Sequence, residues 1–358
     1  MVKILMFGST LSTKGGMVSV VKNYLSYEDW GEYKITYIPT HFDGNRSLMM
    51  LHFMARYVQI VILVLFGNYR IAHLHTAERG SFWRKALLTK TMKWFGIKTV
   101  MHHHGAEFED FYVKCSEGQK EQIKNVLETV DVNIVLSKRL VGMIKEKAPN
   151  ANVEVLYNAV ATYKENPYNE TAKNVLFLGR LGERKGTFDL LECIRRIDNR
   201  IDKEVKFYLC GDGAIEEVKK RIKELKIEHR IAHIGWVDGE QKREFMKNTM
   251  LNVLPSYNEG LPMTILETMA YGIPNISTRI ASIPEVITDS ENGYLITPGD
   301  VETLESRLLT LIENKELRTK FGESSYKLVC DRFSLKSNID MLKEYYNACK
   351  ILHDILKI

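Results

Sequence analysis

The chain has 358 residues, of which 45% are hydrophobic and 27% charged, with a formal net charge of +5. That is ample apolar material for a core and more than one core usually holds, so two domains are expected. The five cysteines are odd in number and scattered, without paired C-x-x-C spacing; this excludes a zinc ribbon or dithiol centre and reads as buried thiols of a reducing compartment.

Charge is unevenly divided. Residues 1–165 hold 21 Lys and Arg against 15 Asp and Glu, a net +6, and the remainder 29 against 30. A basic first half suits an anionic membrane face or a merely solvated surface, and no nucleic-acid partner is expected from it. The opening MVKILMFGST runs directly into an apolar strand and a glycine loop, without the apolar core and cleavage site of a signal peptide, so a cytoplasmic location is expected.

Along the chain, β-branched runs alternate with helical stretches: KILMF, a helix from Gly16, YKITYI, an apolar helix from Leu48, YRIAHLH, a helix from Ser81, and IKTVMHH. This alternation predicts a parallel sheet wrapped by helices. The stretch Leu48 to Phe66 is interrupted by His52, Arg56 and Gln59, leaving about ten clean positions against the roughly 20 that a membrane span needs. It is therefore not expected to cross a bilayer, and together with the basic first half it suits contact with an anionic membrane face.

After DVNIVLS and VEVLYN comes the polar ATYKENPYNETAK, the expected linker. The pattern then restarts with NVLFLG, VKFYLCG, IAHIGW, MLNVLP, IPNIS and GYLITP, so the second half repeats the architecture of the first. Ser334 to Ile358 has helical spacing and no strand after it, and predicts a helix packing across a domain surface. Open parallel sheets bind ligands beyond the carboxyl ends of their strands, so the strand-to-helix loops are where chemistry is sought.

The strongest signal is PSYNEGLPMTILETMAYG, a strand end, a loop with Glu259, Pro262 at the expected first helical position, and Glu267 inside an apolar helix. A buried carboxylate needs partners, and the diol of a ribose would supply two donors, with the helix N-terminus near Leu261 to Thr264 facing a diphosphate. The competing reading is a helix carrying one salt-bridged glutamate, with the other at the surface.

Four further segments carry candidates. Gly179, Arg180 and Lys185 follow NVLFLG and place two cations at a strand end, able to neutralise a leaving diphosphate or equally to be solvated. In MHHHGAEFEDFY, His102 and His104 share one face of a strand and His103 the other; Glu107, Glu109 and Asp110 would have to complete a metal site there, and none is expected. Gly15 and Gly16 form a loop ahead of a helix, and Gly211 to Gly213 and Gly235 to Val237 end two strands. No Asp-x-Asp occurs, which fits a donor site without a divalent metal, so no cofactor is expected.

The Glu259–Glu267 segment resembles the signature of glycosyltransferase family 4, in which two glutamates separated by seven residues bracket a GLPM-type loop and an apolar helix. The resemblance implies that Glu259 contacts the donor sugar and Glu267 the ribose, with Gly260, Leu261, Pro262, Met263 and Thr264 along the donor. GRLGERKG resembles the same family's diphosphate-binding Arg and Lys, here Arg180 and Lys185. By motif position His104 would bond the donor sugar, with His103 its nearest competitor; Gly16 would lie beside diphosphate and acceptor, and Gly211 and Val237 would hold the base through backbone groups.

What this implies is an α/β chain of GT-B architecture, two Rossmann-like domains with parallel sheets facing across a cleft. Residues 1–165 would take the acceptor side and 166–334 the donor side, with a C-terminal helix, 335–358, returning towards the first domain. The expected activity is retaining transfer from a nucleoside-diphosphate sugar, UDP-sugar favoured, to a saccharide or lipid-linked saccharide, at the inner membrane face. A non-catalytic partner subunit of the same fold and a sugar-nucleotide epimerase are the alternatives; the latter would convert donor with no acceptor present.

Overall fold

The computed structural model describes residues 1–355, with side chains through Cys349; positions 356–358 of the expected C-terminal helix lie outside the described residues. The chain divides into two compact units, Met1–Asn158 joined by the segment from Leu335, and Ala159–Ser334.

The first unit runs β1 (Val2–Ser9), α1 (Gly16–Ser26), β2 (Tyr33–His41), α2 (Arg46–Phe66), β3 (Tyr69–Thr76), α3 (Gly80–Trp94) and β4 (Lys98–His103). It continues with α4 (Phe108–Val113), α5 (Glu117–Thr129), β5 (Val132–Val135), α6 (Lys138–Lys147) and β6 (Val153–Val155). Its six strands are parallel in the order β2-β1-β3-β4-β5-β6, so the winding reverses between β1 and β3. Ala72 and Leu74 on one sheet face pack with Ile60 of α2 and Leu88 and Met92 of α3. The alternate residues His73 and His75 turn to the other face, where the ring of Tyr24 of α1 packs near them at a tilt.

The second unit contains β7 (Asn174–Leu178), α7 (Thr187–Ile197), β8 (Lys206–Cys210), α8 (Ile215–Leu225), β9 (Ile231–Gly235), α9 (Gly239–Lys247) and β10 (Thr249–Leu254). There follow α10 (Met263–Ala270), β11 (Asn275–Thr278), β12 (Gly293–Ile296), α11 (Val301–Glu313) and α12 (Lys315–Arg332). The order β12-β11-β10-β7-β8-β9, all parallel, is the doubly wound arrangement with its reversal between β7 and β10. Near-continuous apolar runs such as β10, buried at all six positions, are what a sheet covered on both faces requires.

Chain division falls at Asn158, ahead of the polar stretch 161–173 that the sequence marks as a linker. That stretch belongs to the second unit because Tyr168 reaches into its core cluster and its hydroxyl donates to the Met250 carbonyl at 2.8 Å. The final helix, α13 (Leu335–Ile355), belongs to the first unit: Tyr346 is fully buried and bonds the His73 ring, and Asn338 accepts from the Tyr24 hydroxyl. α10 begins at Met263, one position later than the sequence pattern suggests, with Pro262 as its cap residue.

Candidate active site

At the reversal point of the second sheet, β7 and β10 are neighbours, and the loops that follow them carry the motifs of the sequence. Gly186 lets these loops touch. Its backbone is left-handed, φ 69°, and a Cβ there would lie 2.0 Å from the Pro255 carbonyl oxygen, so only glycine fits. The Tyr257 amide donates to the Arg184 carbonyl at 2.9 Å, a second tie between the same loops.

This approach brings the Lys185 ammonium against the Glu259 carboxylate, whose Oε1 also accepts from the Ser256 hydroxyl at 2.8 Å. The two side chains are only 13% and 6% exposed. Burial pushes Lys185 below its ordinary pKa, and the attraction of Glu259 opposes that shift. Glu259 is thus no surface glutamate, but a buried carboxylate held beside a cation.

Arg180 stands exposed one residue past Gly179 and has no carboxylate partner among the described residues. The loops after β7, β8 and β9 are laced together: Leu181 donates to the Asp212 carbonyl at 2.6 Å and Gly211 to that of Gly235 at 2.8 Å. A Cβ on Gly211 would lie 1.8 Å from the Gly179 carbonyl oxygen, which explains that glycine. The Val237 side chain packs with Leu178, Cys210 and Met246, leaving its backbone as the part able to meet a ligand.

Glu267 sits one turn into α10, and its Oε1 accepts from Lys242 of α9 at 2.8 Å; the carboxylate is 18% exposed. The salt-bridged reading of Glu267 is therefore correct as far as it goes, and the pair still leaves one carboxylate oxygen for another donor. Leu261, Pro262 and Met263 are buried at the start of α10, with Gly260 and Thr264 half-buried. Leading amides of a helix lack intrahelical acceptors and carry partial positive charge, so an anion is favoured there.

In the first unit, Gly15 caps α1 at φ 141° and Gly16 opens it, both exposed, next to the β1–β3 reversal. His102 and His104 do share a face, joined by His73 and His75, while His103 turns to Asn133, 3.2 Å from its Oδ1. His104 Nε2 lies 2.8 Å from His75 Nδ1. Burial holds His104 down to about 3, so its ring is neutral at physiological pH.

One ring nitrogen each of His73, His75 and His102 lies within 4.8 Å of the others. The acids the sequence offers as co-ligands are elsewhere: Glu107 pairs with Arg79 and Glu109 with Lys147. No carboxylate is among the groups that shift these rings, whereas buried Lys85 pushes His75 further down, so the electrostatics are unfavourable to a dication.

Sequence reasoning passed over Ser256, Lys242 and His75. Ser256 lies inside the PSYNEG motif and was legible there. Lys242 is 25 residues before Glu267 on an unremarkable helix and His75 is 29 before His104, and only the sheet order brings such pairs together.

Two doubly wound parallel sheets in separate units define the class as the GT-B fold of glycosyltransferases. A structure of Anabaena HepE in complex with UDP has the same fold, with a TM-score of 0.75 at 15% identity over 97% of this chain and 100% of that one. The chain belongs to the glycosyl transferases of group 1: that family's model matches residues 161–328, and an uncharacterized glycosyltransferase of Methanocaldococcus jannaschii is 31% identical over 70% of this chain and 68% of its own. N-acetyl-alpha-D-glucosaminyl L-malate synthase of Bacillus anthracis is 27% identical over 78% of this chain and 74% of its own. An Escherichia coli UDP-Gal:alpha-D-GlcNAc-diphosphoundecaprenol alpha-1,3-galactosyltransferase is 23% identical over 84% and 81%.

Proposed function

We propose that this chain is a retaining transferase of glycosyltransferase family 4, moving a sugar from a UDP-sugar to a hydroxyl of a lipid-linked saccharide at the inner face of the cell membrane. The observation that carries the donor half is the convergence of Arg180, Lys185, Glu259 and the α10 N-terminus at one sheet reversal. These groups suit the parts of a sugar nucleotide. The diphosphate meets the two cations and the helix amides, the ribose diol donates to Glu267, and the sugar hydroxyls meet Glu259.

Bond breaking releases a diphosphate with developing negative charge, which Arg180, Lys185 and the helix N-terminus stabilise electrostatically, so no divalent cation is required. In the free protein Glu259 holds Lys185, and arrival of a diphosphate gives that ammonium a second anionic partner. The acceptor hydroxyl attacks the same face that the diphosphate leaves, with the diphosphate as base. His104, kept neutral, bonds a sugar hydroxyl, and Gly16 stands on the acceptor side. UDP is favoured because the Anabaena neighbour was solved with it, and a lipid-linked acceptor because the Escherichia coli relative is named for a diphosphoundecaprenol substrate.

The direct experiment incubates the protein with a panel of sugar nucleotides and follows nucleoside diphosphate release with and without lipid-linked acceptors. Acceptor-dependent UDP release is the expected result. Donor conversion without acceptor makes the protein an epimerase, and no turnover with any pairing makes it a non-catalytic subunit.

A further inference from the structure

α2 has two apolar faces, and the sheet covers only one of them. Ile60 is fully buried against β1, β2 and β3, with Phe53, Tyr57, Leu63 and Val64 packed around it. On the opposite side Leu51, Met54, Val58, Ile62 and Leu65 recur at steps of three and four residues, and each is more than half exposed. A surface helix of a soluble domain normally carries polar residues there; beside this stripe only Ser47 at its start and Gln59 on its flank are uncharged, polar and exposed.

The exposed surface continues onto α3, which packs beside α2 through the Tyr57 hydroxyl, 2.7 Å from Thr91 Oγ1. Leu87, Lys90 and Trp94 lie along one side of α3 at helical spacing, and the Trp94 ring is 83% exposed. Neither helix contains an Asp or Glu. Arg46 and Lys90 are exposed, and Arg56 is half-buried.

We infer that the outer face of α2, with Leu87, Lys90 and Trp94 of α3 beside it, docks onto the anionic surface of a lipid bilayer. α2 lies in the plane of the interface, its outer stripe among the upper acyl chains, while Arg46 and Lys90 meet headgroup phosphates and Trp94 takes the interfacial position that amphipathic rings prefer. The helix is long and apolar enough to span a membrane, but it connects two strands of one sheet and its inner side is that sheet's cover. It therefore lies on the bilayer instead of crossing it. A second copy is the poorer occupant, because a two-fold pairing of this face sets Arg46 and Lys90 against their own like charges without an acid to receive them. The inference rests on the reading above only in giving the surface a purpose, namely to bring a lipid-linked acceptor within reach.

The test uses the full chain and flotation with vesicles of phosphatidylglycerol and phosphatidylcholine, compared with phosphatidylcholine alone. Binding to the anionic vesicles, weakened at least tenfold by 0.5 M salt (roughly a 4 Å Debye length), is expected. Met54→Glu with Ile62→Glu should abolish binding while leaving the unfolding temperature and UDP affinity unchanged. Should that variant misfold, Trp94 supplies an independent readout: its fluorescence shifts blue on adding anionic vesicles, and Trp94→Phe removes the shift. Failure of the wild type to bind any vesicle, or a dimer that the glutamate variant turns into a monomer, overturns the inference. UDP binding and acceptor-dependent turnover with soluble saccharides are read separately, so a wild type that ignores every vesicle yet turns over soluble saccharides sinks this docking surface and leaves the transferase reading standing.

Discussion

The Lys185 ammonium rests against the Glu259 carboxylate although 74 residues separate them in sequence. Glu259 is buried and the Lys185 side chain is only 13% exposed, so water can do little to replace either partner. Removing one member of a buried pair leaves an uncompensated charge, at a cost of about 3–5 kcal/mol.

Lys185→Ala is accordingly expected to lower the unfolding temperature by several degrees and to reduce kcat/KM by about 100-fold, the scale of one lost charge stabiliser of the transition state. Lys185→Arg keeps the charge and should recover much of the stability. A Lys185→Ala enzyme with full turnover would falsify the diphosphate role; calorimetry and UDP-release kinetics read the two effects independently.

Glu267 and Lys242 divide differently. Glu267 keeps one oxygen outside its bond to Lys242, so Glu267→Ala should weaken UDP binding by roughly 10–100-fold, the worth of charge-assisted hydrogen bonds. Lys242→Ala leaves the carboxylate and costs at most about threefold, since the pair is partly solvated. Isothermal titration with UDP decides it: equal losses for both variants would mean that the ribose meets the ion pair, not Glu267 alone.

The alternation of strands and helices was legible from the first run of residues, because parallel sheets buried on both faces demand continuous apolar segments such as β10. The reversal point was not, since strand order depends on which crossovers the chain makes and not on any local pattern. That is why Glu259 could be singled out while its burial against Lys185 could not be settled, and why His104 was found without His75. The division at Asn158 lies ahead of the polar stretch for a related reason: composition at 161–173 resembles a linker, and Tyr168 with its bond to Met250 ties that stretch to the second unit. For α2 the interruptions by His52, Arg56 and Gln59 were read as weakening a span, whereas folded they lie on a helix whose two long sides are both apolar.

Gly186 is the hinge on which the two site loops meet, and its replacement tests whether their closeness matters. Alanine there adopts a left-handed backbone at a cost of about 1–3 kcal/mol, and its methyl collides with the Pro255 carbonyl. Gly186→Ala should lower stability by at least that much and, by parting Lys185 from Glu259, reduce turnover more than it weakens UDP binding. Gly118, which is exposed with open space around its absent Cβ, is the control: Gly118→Ala in the first turn of α5 should be neutral or slightly stabilising. Comparable losses in both variants would show that the Gly186 contact is nothing special.

Acid sensitivity follows from the histidines of the first unit. Burial holds His73 and His104 down to about 3 and His103 to about 4, and pushes His75 and His102 well below the usual range. In the unfolded chain each ring takes its proton near pH 6.5, so between roughly 6.5 and 3–4 the unfolded state binds protons that the folded state refuses. The rings' share of the stability is therefore fully present above about pH 6.5 and falls as pH drops through this window, by up to about 1.4 kcal/mol per pH unit for each ring. Asp131 and Asp198 are held below the usual carboxylate range by neighbouring cations, and their loss begins near pH 4, beneath most of that window. Calorimetric scans should show a steep decline of the unfolding temperature from pH 6 to 5, whereas from pH 7 to 8 it still rises gently, because burial holds Lys85 down to about 7 and the folded state gives up that proton while the unfolded chain keeps it. His103→Asn removes one ring and should make that decline shallower by about one proton's worth; an unfolding temperature that stays level down to pH 5 in the wild type would mean that these rings accept protons in the folded protein.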